Sequence, residues 1–299
     1  MALSERQKIA HLYRRAGFGA TPDELSSATE LGYDKSVEKL LNFEQFPDTI
    51  PALNFSENDD SDDPHPKFSV SIGQSGEQTM TNLPVPTTRD LRDMTMEERK
   101  AHFKQENEQG VKNRMVWLNR MAQTARPFQE KLALFWHGHF ATSLRKVRDA
   151  TLMEEQINLF RTHGAGNFET LAQEISKNPA MILWLDTQQS REEHPNENYA
   201  RELMELFTLG LGHYTEKDVQ ETARAFTGWK TDGGVYRFAP RQHDFDEKTI
   251  LGSTGNWNGE DAVRIILSQA AAPEFITRKA FVFFGNDNPD PQSIHRFSN

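Results

Sequence analysis

Glu202 and Glu205 lie three residues apart in the run Asn196-Glu-Asn-Tyr-Ala-Arg-Glu-Leu-Met-Glu-Leu-Phe-Thr-Leu-Gly-Leu-Gly212. On a helix that spacing puts two carboxylates on one face, where they could hold a cation or divide acid and base roles. Asn198 joins them at i, i+4 and i+7, which makes a polar stripe. Arg201 stands four residues after Glu197 and four before Glu205. It can bind an anionic group, or it can pair with those carboxylates and account for much of the stripe.

His137 and His139 flank Gly138 in Phe135-Trp-His-Gly-His-Phe140. His-x-His is a metal-ligand spacing. In a regular helix, however, rings at i and i+2 point about 200° apart. The pair converges only if Gly138 ends the helix or the segment is extended. The other reading is two histidines hydrogen-bonded within an aromatic core. His243, in Gln242-His-Asp-Phe-Asp246, stands beside carboxylates and suits proton transfer or metal binding. A loop held by local hydrogen bonds uses the same residue types. The chain has no cysteine, so disulfides and thiolate ligands are excluded. Any divalent metal would rest on His, Asp, Glu or Asn.

Two functions fit these residues. One is a metal-dependent enzyme, a hydrolase or oxidoreductase. Its catalytic set would be Glu202, Glu205, Arg201 and His243, with His137 and His139 on the metal. The other is a non-catalytic helical assembly or interaction module whose polar residues form a buried network. No Gly-x-Gly-x-x-Gly opening a helix, phosphate loop or Gly-x-Ser-x-Gly elbow occurs, so nucleotide-dependent and serine-hydrolase chemistry lack support.

The elements that must position these residues are mainly helical. The run 196–212 carries two apolar lines, Tyr199–Leu203–Leu206–Gly210 and Met204–Phe207–Leu211, which predict a helix buried over much of its circumference. Capping boxes at Ser4/Gln7, Thr21/Glu24, Thr95/Glu98 and Thr215/Asp218 open other helices. Further helices are expected at 33–43, 128–136, 152–160, 168–175, 180–185, 260–267 and 273–284. Asp232-Gly-Gly234 followed by Val235-Tyr-Arg-Phe238 predicts a small hairpin, with a glycine-rich loop at 252–259. Residues 44–87 hold six prolines and the acidic run Asp59, Asp60, Asp62, Asp63, and read as a long, partly disordered loop with a short strand at 68–72. The expected fold is mainly α, a single multi-helix globular domain over 1–299 with a small β-hairpin.

The chain has 299 residues, a net charge of −10, a pI of about 5.5 and a mean hydropathy of −0.72. That balance argues against non-specific nucleic-acid binding, which needs a basic face. No apolar run reaches the ~18 residues of a membrane span, and the first residues show no signal peptide, so cytoplasmic residence is the default expectation.

Several stretches together resemble the bacterial domain-of-unknown-function family 1800. They are the run from His11 to Pro22, Phe135 to Phe140 and Asn196 to Leu206. Tyr214-Thr-Glu-x-Asp218 follows, then Ala223 to Trp229, and His243-Asp244 with Lys248 and Leu251-Gly252. The resemblance implies a mainly helical bacterial protein and brings no established activity. It also implies export and a sulfatase-like partner, although no export signal is visible here. Relatives carry Asn where this chain has Gly138, and they continue further, so the resemblance implies a chain that is short or truncated at its C-terminus.

Overall fold

The computed structural model describes residues 3–57, 68–76 and 93–298. The chain divides into two compact units, Met1–Leu83 with Lys100–Leu134, and Pro84–Arg99 with Phe135–Asn299. Both are built mainly from helices, as the periodicity predicts.

The first unit opens with α1 (Glu5–Arg15), α2 (Pro22–Leu31) and α3 (Tyr33–Leu41). Ser4 and Thr21 each close a reciprocal capping box, satisfying backbone N–H groups that the first turn leaves without partners. Ile9, Tyr13, Ala28 and Leu40 bury together, with Leu12, Leu25 and Phe128 packed against them. Within the segment read as a loop, β1 (Ile50–Glu57) pairs antiparallel with β2 (Phe68–Gly76), so the short strand read at 68–72 lies inside β2. The acidic run at 59–63 lies outside the described residues.

Next come α4 (Met96–Gln123) and α5 (Pro127–His139). Glu130 on α5 is fully buried, and burying a lone carboxylate would be costly. Its oxygens are satisfied by Trp117 Nε1, which donates at 2.8 Å, and by Arg120 Nε, which donates at 2.5 Å. Arg120 also pairs with Asp48.

The second unit holds α6 (Leu144–Val147), α7 (Ala150–His163), α8 (Phe168–Lys177) and α9 (Pro179–Trp184). After these come α10 (Glu197–Glu202) and α11 (Glu216–Ala225). The β3 strand (Trp229–Asp232) and β4 (Val235–Phe238) form the predicted hairpin, with Trp229 opposite Phe238. A second hairpin, β5 (Lys248–Ile250) with β6 (Ser253–Gly255), stands where a glycine-rich loop was expected. Leu251 and Gly252 turn it with positive φ at both positions, the backbone hand that matches strand twist. Three helices follow, α12 (Gly259–Leu267), α13 (Ala271–Ala280) and α14 (Pro291–Ser298).

Edge-to-face rings run through this unit's core, Tyr199 on Phe226 and Phe226 on Trp229, each with centroids 4.9 Å apart. A second aromatic group stacks Trp136, Phe140, Phe160 and Phe168. Gly164 is required beside it. A Cβ there would stand 2.7 Å from the Trp136 ring, whose Nε1 donates to the Gly164 carbonyl at 2.8 Å. Among the described residues, no helix is long and apolar enough to cross a membrane.

Candidate functional site

The helix over 196–212 does not run as one regular α-helix. Asn196 caps α10 by accepting from the Asn198 backbone N–H at 3.0 Å. From Leu203 to Thr208 the chain winds as a π-helix. Leu209 N donates to Met204 O at 2.9 Å, five residues back, and Gly210 N donates to the same carbonyl at 3.0 Å. Thr208 Oγ1 donates to Leu203 O at 2.5 Å. Such turns are rare and are often found at functional sites. Their wider winding changes the angle between successive side chains from Leu203 onward, while Asn198 and Glu202 keep the i, i+4 spacing of α10 and the Glu205 charge still acts on Glu202.

The polar residues divide accordingly. Arg201 donates to Glu197 at 2.8 Å and to both carboxylate oxygens of Glu216, at 2.9 and 2.5 Å. Of its two possible i±4 partners only Glu197 is taken, and Glu216 from the first turn of α11 stands in for Glu205. These bonds hold the Glu216 carboxyl below its usual range. Glu205 instead accepts from the Tyr214 hydroxyl at 2.8 Å. Burial, then that carboxylate, pushes the Tyr214 hydroxyl up to about 12. Glu202 takes no hydrogen-bond or ion-pair partner among the described residues. Burial raises its carboxyl pKa, the Glu205 charge adds to the rise, and Arg201 opposes it.

His137 and His139 both lie on α5, which continues three residues past the expected end at Trp136. In a continuous helix their rings diverge by about 200°. His139 is buried among the rings of Phe135, Trp136, Phe140, Phe168, Phe207 and Phe275. Its Nε2 lies 2.9 Å from the Phe207 carbonyl, which can only accept, so Nε2 carries the proton. Nδ1 is buried without a partner. Burial takes the ring's pKa down to about 4, against the Phe207 carbonyl, with the Lys279 charge assisting. Burial also lowers His137.

His243 occupies a different environment. Its Nδ1 donates to the Thr227 carbonyl at 2.8 Å, and its ring lies edge-on between Phe238 and Phe245. Asp244 receives Arg224 on both oxygens, at 2.7 and 3.2 Å. The Asp244 backbone N–H donates to Thr227 Oγ1 at 2.8 Å. The Lys248 ammonium is buried and donates to the carbonyls of Asp244 and Asp246 at 2.6 and 2.8 Å. Burial lowers the Lys248 pKa, with the Asp244 charge opposing.

The structure thus joins Glu205 to Tyr214, Arg201 to Glu197 and Glu216, and His139 to the π turn. No hydrogen bond or ion pair links His139, Glu202 and His243 to one another. Among the described residues, no group of three or more His, Asp or Glu side chains is placed to hold a metal ion. Sequence reasoning passed over Tyr214 and Glu216 as site residues. Their signal was present in Tyr214-Thr-Glu216, directly before the cap of α11.

The chain belongs to the family described as protein of unknown function (DUF1800), whose model matches residues 11–299. No curated protein and no solved structure matches it.

Proposed function

We propose that this chain is a non-catalytic helical interaction module. In this reading its motif residues hold neighbouring elements in register. One observation carries it: the polar side chains that sequence spacing suggested for catalysis are largely committed to other parts of the chain. Arg201 spans Glu197 and Glu216, Glu205 receives Tyr214, His139 is tied to the Phe207 carbonyl and His243 to Thr227. Elemental analysis of the purified chain, with unfolding followed in and out of chelator, tests this reading. Metal below stoichiometry and an unchanged unfolding midpoint are expected. Stoichiometric metal that is lost in His137→Ala would overturn it.

The metal-dependent enzyme is the second reading, and Glu202 supports it. A half-buried carboxyl with no partner and a raised pKa, next to a second carboxylate on a π turn, is suited to acid–base work. His137, His139 and His243 would be its further candidates, and a sulfatase-like partner or an exported setting would fit either reading.

A further inference from the structure

The second unit carries an open cleft of about 750 Å³ beside the start of the motif helix. Its volume is in the range of ligand sites, about 300–1,000 Å³. Its lining is not typical of one. Gln188, Arg191, His194, Glu197, Asn198 and Lys230 face it, and no Phe, Tyr or Trp ring does. An apolar small molecule would find little surface to bury there.

The walls are built from tied backbone. Arg191 and His194 bridge each other. Glu192 N donates to Gln242 O at 2.9 Å, and Gly228 N donates to Ser190 O at 3.1 Å. Ser190 Oγ is buried and accepts from Asn196 N at 3.0 Å, while the Asn196 amide donates to Asp186 O at 3.2 Å. The backbone around the cleft is thus fixed before anything enters it, which lowers that part of the entropic cost of binding.

Its charges are unequal in commitment. Glu197, the acid that lines it, is taken by Arg201. Lys230 has no ion-pair or hydrogen-bond partner among the described residues, and neither do the Gln188 and Asn198 amides. Arg191 meets Glu193 only at 3.8 Å, with both side chains mostly exposed. An exposed pair of that kind is worth about 0–1 kcal/mol and yields readily to a competitor. Among the lining residues, the cations Arg191 and Lys230 therefore face one carboxylate, Glu197, that is already paired, while Glu193 flanks the cleft beside Arg191. Its free amides can both donate to and accept from peptide groups.

We propose that this cleft docks an extended acidic peptide segment of a partner protein, an inference that rests on the interaction-module reading. Lys230 and Arg191 take the peptide's carboxylates. Gln188 and Asn198 bond its backbone. The open shape admits a chain that passes through.

The test is fluorescence anisotropy on the purified full chain, with a labelled peptide of alternating Glu and Ser as probe. A Lys/Ser peptide and free glutamate serve as comparisons. Saturable binding of the acidic peptide alone is expected, weakening as salt is raised. The Arg191→Glu/Lys230→Glu double variant should bind about tenfold more weakly or worse, with unchanged thermal unfolding. Asn198→Ala should weaken binding by a smaller factor. Absence of saturable binding, or equal binding by the double variant, would overturn the proposal. Free glutamate binding as tightly as the peptide would overturn it too, since the site would then take a small solute. Stoichiometric metal would defeat the module reading without altering these curves, so the two failures are distinguishable.

Discussion

The loop from His243 to Lys248 and the π turn from Leu203 to Thr208 both carry charged or titratable groups next to buried surface, yet they are finished differently. In the loop, Asp244 is held on both oxygens by Arg224, and Lys248 caps two carbonyls. At the π turn, Glu202 is left without a partner and His139 keeps a buried Nδ1 bare. A closed network spends its polar groups on the fold. An open one retains groups that still respond to pH or to a ligand. The two regions should therefore answer differently to the same kinds of perturbation.

The largest effect is expected in the loop. Asp244→Ala frees Arg224 and removes the carboxylate 3.7 Å from the buried Lys248 ammonium, whose two carbonyl bonds remain, and breaking a buried pair from one side costs about 3–5 kcal/mol. Urea unfolding should show that loss as a lowered midpoint. An effect below about 1 kcal/mol would mean that the loop is not the closed network described.

The π turn should show its character in pH dependence. His139 sits near a pKa of about 4 instead of its ordinary 6.5. Between those values the unfolded chain binds a proton that the native ring refuses. Stability is therefore fully present above pH 6.5, falls as pH drops, and has lost its whole contribution below about 4. The loss is on the order of 3 kcal/mol. In His139→Leu this part of the pH slope should vanish, while a penalty for the unpaired Phe207 carbonyl remains at every pH. An unchanged slope would place the titrating group elsewhere.

Smaller effects follow at the helix surface. Tyr214→Phe removes a hydrogen bond to the Glu205 carboxylate and should cost about 1–2 kcal/mol in equilibrium unfolding. Glu202→Gln should change stability by less than about 1 kcal/mol, because no partner is lost. Its sign is informative. A carboxyl whose pKa is raised in the native state favours folding only as pH falls through that value, so at pH 7 the neutral amide should be neutral to slightly stabilising. A clear destabilisation would show that Glu202 has a structural partner and would close the gap between the two regions.

The helix starts were legible in the sequence because their signals are local. Ser4 with Gln7, Thr21 with Glu24, Thr95 with Glu98 and Thr215 with Asp218 each make the bond that their spacing predicts. The hairpin at Trp229–Phe238 was legible for the same reason, since Asp232-Gly-Gly234 specifies a tight turn. The π turn was not legible. Leu203–Thr208 has good α-helical periodicity, and the departure is accompanied by a partner distant in sequence, His139 on the Phe207 carbonyl. The β5–β6 hairpin was missed because its turn begins with Leu251, a residue that rarely takes positive φ. What holds it comes from α11, where Asp218 accepts from Leu251 N at 2.7 Å and Glu221 accepts from Thr249 N at 3.0 Å. The i−4 partner Glu197 was legible, but Arg201's second partner was missed because Glu216 lies beyond a turn, and i±4 arithmetic stops at the end of its own helix.

The claim that these motif residues are spent on one another is tested most directly by a double-mutant cycle in the loop. Arg224→Ala, Asp244→Ala and the double variant would be unfolded in urea under one set of conditions. A coupling energy above about 1 kcal/mol is expected for a hydrogen-bonded, largely buried pair. Additive losses, with no coupling, would contradict the account.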